Sequence, residues 1–243
     1  MPEDGGAAAR PVVRRTRVTA ASVVSRKIRA DILSGVLTPG ERLKVDALCA
    51  RYEATINPTR EALNRLVSEG LVEVADQRGF SVTPVSLSHW RDLVHTRCLA
   101  EGTALREAIT QRTEQWEDEI VLSLHRLKKT PRFLPGNSKA ANPEWEPVHR
   151  RFHDALIATC GAELLLKFCH DLGDMASRYR HIAAIAPSAR TTYNDEHQDI
   201  ANACLEGDID GAVSQLTEHY RVTLGVVEEY LRALDEEPED GRT

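Results

Sequence analysis

NPTREALNRLVSEGLVEV, residues 57–74, changes period halfway along. Pro58 suits the first turn of a helix, because its fixed φ is helical and its missing N–H would have no partner there. Ala62, Leu63, Leu66 and Val67 then recur at the spacing of one helical face, and Gly70 ends the run. Leu71-Val72-Glu73-Val74 reads as a short strand, Asp76-Gln77-Arg78-Gly79 as a polar turn, and Phe80-Ser81-Val82 as the returning strand. A helix running straight into a hairpin is the unit from which the N-terminal fold is read.

Upstream, Val23, Val24, Ile28, Ile32 and Leu33 predict a helix over Thr19–Leu33, stopped at Ser34-Gly35. Thr38-Pro39-Gly40 is a turn, Val45–Tyr52 a second short helix opened by Asp46, and Thr55 or Asn57 caps the third. Three helices and a hairpin form a winged helix-turn-helix, whose last helix enters the major groove of double-stranded DNA while the hairpin touches the backbone or minor groove. Short polar side chains and cations are needed at the front of that helix, where base edges and phosphates lie. Thr55, Asn57, Thr59 and Arg60 supply them; the bland alternative for Arg60 and Arg65 is a solvated helix surface.

The 243 residues carry 42% apolar and 28% charged side chains, a composition of soluble globular proteins. No apolar run approaches the ~20 residues that span a bilayer, and the first residues lack a secretory h-region, so a cytoplasmic protein without membrane partners is expected. The five cysteines are scattered with no CxxC, which reads as small buried side chains rather than disulfides or a zinc knuckle. The net charge of −6 hides a division: residues 10–83 hold 13 Lys and Arg against 8 Asp and Glu, and the remainder 18 against 29. A basic module on an acidic body suits an anionic polymer at one end and another task at the other.

Beyond residue 84 no strand pattern recurs. Ser88–Ile109, Trp116–Lys128, Pro147–Thr159, Leu164–Ile185, Ser188–Leu205 and Ile209–Leu234 read at helical spacing, with a Pro/Gly/Asn-rich irregular connection over 129–147. The expected organisation is therefore mainly α. A disordered basic tail spans 1–18, the winged helix-turn-helix 19–84, a linker 85–89, an all-α domain of six or seven helices 90–235, and an acidic tail 236–243.

Within that body HRRFHDAL, residues 149–156, sets His149 and His153 on one helical face. Such a pair can bind a metal, do acid–base work or sit hydrogen-bonded in a core. His197 lies 10 residues before Gly207 and His219 lies 12 after it, so a helical hairpin turning at Gly207 brings the two to one level. Up to four imidazoles would then converge in a bundle, where metal sites are commonly built. The other five histidines, His89, His95, His125, His170 and His181, read as ordinary core or surface residues.

ILSGVLTPGERL (32–43), NPTREALNRLVSEGLVEV (57–74) and QRGFSVTPVS (77–86) resemble the DNA-binding domain of the GntR family of bacterial regulators across nearly all of 22–84. The resemblance implies that Arg60 contacts phosphate or guanine and that Arg78 and Gly79 sit at the wing tip. Where the family usually has Ser-Arg-Thr before the proline, this chain has Thr55-Ile56-Asn57, so its operator differs. VHTRCLAEGTALREA (94–108), HRRFHDAL (149–156) and EHQDIANACLEGDIDGAVSQLTEHY (196–220) resemble the FCD ligand-binding domain of the FadR-type branch. Many members bind a divalent metal through an Asp and a His four apart plus two later histidines, which fall here on His149, His153, His197 and His219. His149 stands in the Asp position. Either it is a neutral ligand that shifts preference towards zinc or nickel, or it points away and leaves a three-histidine site with open positions.

The resemblance further implies a small carboxylate effector, assisted by Arg97, with Arg178 and Asn202 lining the same cavity; for Arg97 an ion pair with Glu101 at i+4 is the alternative. The function it implies is a non-enzymatic, ligand-responsive regulator, in most relatives a repressor, whose homodimer binds a pseudo-palindromic operator. Two alternatives stay open. One is a helical-bundle metallohydrolase with Glu196 or Asp195 as general base, and the other is a regulator whose metal is purely structural.

Overall fold

A computed structural model of the chain describes residues 19–75, 79–134, 137–185 and 193–236. The expected tail over 1–18, residues 237–243 of the tail expected over 236–243, and the break at Pro187 lie outside them, while Glu236 is helical. Helix α1 (Ala20–Leu33) starts where the Thr19 hydroxyl accepts the Ser22 N–H at 3.2 Å, and it buries Val24, Ile28 and Ile32. Helix α2 (Val45–Tyr52) ends at Glu53, whose left-handed backbone (φ 55°) turns the chain into α3 (Ile56–Ser68). Strands β2 (Val72–Ala75) and β3 (Gly79–Val82) make the expected hairpin, with Val72 opposite Val82 and Val74 opposite Phe80.

One strand escapes the sequence reading. β1 (Arg42–Leu43) pairs antiparallel with β3, giving a three-stranded sheet in the order β1-β3-β2. Two residues are too few to show an alternating pattern. Ile28, Ile32, Leu37, Leu63, Leu66, Leu71 and Val82 close a core of their own beneath this sheet.

The second core belongs to the body. Helices α4 (Leu87–Thr110), α5 (Glu114–Lys129), α6 (Trp145–Leu156), α7 (Glu163–Ile185), α8 (Tyr193–Glu206) and α9 (Ile209–Glu236) surround Trp90, Leu105, Ile120, Phe152, Ile200 and Leu216, among others. Two expectations are corrected. Ser86 caps α4 by accepting the His89 N–H at 3.2 Å, so the helix has begun by Leu87 and the linker ends before residue 89. The irregular connection contains a small antiparallel hairpin, β4 (Phe133–Leu134) with β5 (Asn137–Ala141). Pro147 lies inside α6, in its first turn, where its absent N–H leaves no helical bond unmade.

At Gly207 (φ 75°) the chain reverses between α8 and α9, with Gly207 and Asp208 N–H groups donating to the Cys204 and Ala203 carbonyls. Contacts from α7 join the body to the N-terminal unit. The Asp174 carboxylate receives Arg29 of α1 on one oxygen and Arg150 of α6 on the other, and Arg178 donates to the Thr83 carbonyl at 2.8 Å. Gly35, at φ 75°, lies against the His181 ring, which leaves no room there for a side chain.

Candidate metal and DNA sites

Four helical positions converge on one point in the body. His149 and His153 come from the inner face of α6, His197 from α8 and His219 from α9, at 2%, 8%, 1% and 4% exposure. One ring nitrogen from each lies within 4.8 Å of the other three. Nitrogens about 2.1 Å from a zinc ion lie about 3.4 Å apart in a tetrahedral shell, so the rings need to draw in by only roughly an ångström to close on an ion. The Nε2 atoms of His149 and His153 are 3.1 Å apart, which demands either a proton on one of them or a shared cation facing both lone pairs. His149 Nδ1 is buried with no hydrogen-bond partner. His197 and His219 meet across the α8–α9 turn with ring centroids 4.6 Å apart.

The outer partners orient these rings. His219 Nδ1 is 2.9 Å from Glu196 Oε2, a carboxylate–imidazole pair that leaves Nε2 for a metal. Tyr220 donates its hydroxyl to Glu101, and its oxygen lies 3.3 Å from His153 Nδ1, so His153 is steadied in the same sense. Burial, reinforced by neighbouring histidines, pushes His149 and His153 well below the ordinary imidazole range. A neutral imidazole is the metal-binding form. The residues therefore fit a divalent ion of the zinc or nickel kind by donor type, burial and spacing.

Beside the histidines lies a cavity of about 20 Å³, walled in part by Arg97, His149, His153 and Arg180. A smaller one of about 10 Å³ lies against Trp90, Arg97, His149, Arg180, His219 and Thr223. Arg97 borders both, but its Nε and Nη2 already bind the two Glu101 oxygens at 2.6 and 3.2 Å, as the ion-pair alternative expected. Arg178 is corrected: it is buried at the junction with the N-terminal unit, bound to the Thr83 carbonyl, and lines neither cavity. Asn202 is corrected too, being exposed on α8 and accepting from Gln198 at 2.7 Å.

Sequence reasoning missed Arg180, which borders both cavities while its Nε and Nη2 grip Glu146. It also missed Trp145, whose ring stacks on His149 with centroids 4.4 Å apart. Arg180 depends on a contact between helices that no spacing encodes, whereas Trp145 sits four residues before His149 on α6 and was hidden because the sequence reads 129–147 as irregular.

At the other end of the molecule Thr55, Asn57 and Arg60 are exposed at the front of α3, and Arg60 has no ion pair among the described residues. Thr59 is corrected: it is wholly buried, and its hydroxyl donates to the Thr55 carbonyl at 3.0 Å. Ile56, at 51% exposure, presents an unexpected apolar side chain on the same turn. Gly79 opens β3 at φ 78°, exposed at the wing, whereas Arg78 lies outside the described residues.

A winged helix-turn-helix joined to an all-α domain defines a DNA-binding transcriptional regulator. Residues 20–82 match the family described as "Bacterial regulatory proteins, gntR family", and residues 92–222 match the FCD domain. The uncharacterized HTH-type transcriptional regulator BphR of Paraburkholderia xenovorans (strain LB400) is 34% identical over 84% of each chain. The HTH-type transcriptional repressor GlaR of Escherichia coli (strain K12) is 30% identical over 84% of this chain and 94% of its own. Among solved structures, E. coli McbR/YncC superposes with a TM-score of 0.74 over 88% of this chain and 100% of its own, at 22% identity, a likeness of fold. The chain belongs to the GntR family of bacterial transcriptional regulators, with a C-terminal FCD domain. That membership sets the metallohydrolase alternative aside, in keeping with Glu196 being engaged by His219.

Proposed function

We propose that this regulator is a cytoplasmic, homodimeric repressor of the FadR-type branch. In this reading residues 19–84 bind a pseudo-palindromic operator through Thr55, Asn57, Arg60 and the wing, and the body up to residue 235 senses a small organic acid at a metal held by His149, His153, His197 and His219. The observation that carries the reading is the convergence of four buried imidazoles with oriented outer partners. The names of two E. coli relatives, the repressors GlaR and RspR, support the sign of regulation. No helix among the described residues is long and apolar enough to cross a membrane.

The metal, zinc or nickel by donor type, would supply a buried positive charge that attracts a carboxylate. The protein's own part is plain. Glu196 and Tyr220 hold His219 and His153, Glu101 holds Arg97, and Glu146 holds Arg180 at the cavity edge. A second reading is a structural metal, favoured by the fact that four protein ligands fill a tetrahedral shell.

Elemental analysis of purified full-length protein tests the site. Wild type should carry about one metal per chain, and His197→Ala with His219→Ala should carry none; equimolar metal in that variant would place the site elsewhere. A thermal-shift series with acetate, lactate, malonate and succinate separates the two readings, because a ligand of the native state raises its apparent stability. A metal-dependent rise supports sensing. Chelation that melts the body, without any carboxylate effect, supports the structural metal.

A further inference from the structure

The inner face of α4 carries Trp90, Arg97 and Glu101 in register past the histidines. Trp90 is 1% exposed, and its indole Nε1 has no hydrogen-bond partner. Buried indole N–H groups ordinarily find an acceptor, so an orphaned one at a cavity wall asks what the cavity receives. The ring cannot turn away to find one elsewhere. It stacks on Tyr179 with centroids 4.4 Å apart and planes 16° apart, and Tyr179 is in turn held by His89 at 2.8 Å.

The wall around it is rich in donors. Arg97 and Arg180 have their carboxylates already, yet no hydrogen bond is made by Nη1 of either among the described residues. Thr223 has its hydroxyl donated to the His219 carbonyl. A space lined by Trp90 and two arginines, next to a candidate cation site of four imidazoles, is complementary to an anion. Its volume of about 10 Å³ admits a single polar group and not a chain.

We infer that Trp90 is a recognition residue of the regulator: its indole N–H donates to one carboxylate oxygen of the effector, which enters the smaller cavity between Arg97 and Arg180 in the place of a single water. This rests on the sensing reading above. It adds that selectivity is for an anionic group over its neutral amide, set by a tryptophan outside the histidine cluster.

Titration calorimetry on metal-loaded wild type and Trp90→Phe, matched for metal content, tests it with the carboxylate that gave the largest thermal shift and with its primary amide. Phenylalanine keeps an aromatic ring for the stack on Tyr179 and removes the five-membered ring with its donor, so the amide serves as the control for lost packing. Loss of one charge-assisted hydrogen bond should weaken carboxylate binding about 10- to 100-fold and amide binding, which loses only a neutral hydrogen bond, by less than about 10-fold. Equal carboxylate affinity in the two proteins would overturn the role of Trp90 and leave the sensing reading intact. Absence of binding to wild type would take both down together.

Should Trp90→Phe fail to fold, the indole N–H signals of 15N-tryptophan-labelled wild type read the same contact. Trp116 Nε1 already donates to the Ala155 carbonyl at 2.9 Å and serves as reference. With Trp116→Phe and Trp145→Phe identifying the others, the Trp90 signal should shift on adding carboxylate. A Trp90 signal that stays put would mean that the cavity holds only water.

Discussion

At Tyr220 a single hydroxyl connects the histidine cluster to the ion pair of α4, since it donates to Glu101 and lies against His153 Nδ1. Removing it leaves both partners buried and short of a bond, which is costlier than the bond itself is worth. Tyr220→Phe should therefore lower metal affinity about 10- to 100-fold, read by competition with a chromogenic chelator, while far-ultraviolet circular dichroism stays unchanged. The two histidine pairs were legible because the i,i+4 repeat and the nearly equal distances from Gly207 are properties of spacing, and the family resemblance is what joined the pairs into one site. Tyr220 and Arg180 were not legible, because their roles arise only when α4, α6, α7 and α9 have packed; Trp145 was missed because α6 starts two residues earlier than its expected span. Thr59 teaches a different lesson. Its place one turn before Ala62 and Leu63 put it on the buried stripe, and its polar chemistry concealed that; a threonine can satisfy its hydroxyl on the preceding turn and remain inside.

The elements followed the sequence where a helical period or a flanked strand pair could be read, the eight-residue α2 and the β2–β3 hairpin included, and departed where a segment was too short or too irregular to show one. Helices α1, α3 and α4 to α9 lie close to their expected spans, whereas the two-residue β1 and the β4–β5 hairpin left no pattern to read. Helix α3 shows what phase decides. With Thr59, Ala62, Leu63 and Leu66 turned inward, Ile56, Asn57 and Arg60 face out from its first turn. Arg65 lies a turn further along and is engaged by Glu61 and the Ser22 hydroxyl. Arg60→Ala should weaken operator binding by about 10-fold and, if the contact is to phosphate, flatten the salt dependence by about one unit of slope. Fluorescence anisotropy at several salt concentrations measures both, and the exposed position should leave the thermal midpoint in place.

Across the whole molecule, two cores meet along α7. Asp174 is the contact common to both sides, since it holds Arg29 of the DNA-binding unit and Arg150 of the helix bearing His149 and His153. Nothing in the sequence links residues so far apart, although the charge division did separate the two units. Asp174→Asn should take about 1–2 kcal/mol from the junction, by leaving two half-buried guanidinium groups with a neutral partner. Calorimetric unfolding should then broaden or split into two transitions, with the DNA-binding unit melting first; one sharp unchanged transition would show that the units are coupled elsewhere.

Gly35 gives the junction a consequence for anyone exchanging its halves. The His181 ring fills the place where a side chain at position 35 would stand, so the socket for the DNA-binding unit is moulded around a missing methyl group. A chimaera that grafts another winged helix onto this body seats without strain when the donor carries glycine at the matching turn, and otherwise the His181 ring has to swing aside while the new residue bears a left-handed backbone. Compatibility between heads and bodies in such hybrids is then decided less by the matching of charges than by one hydrogen atom.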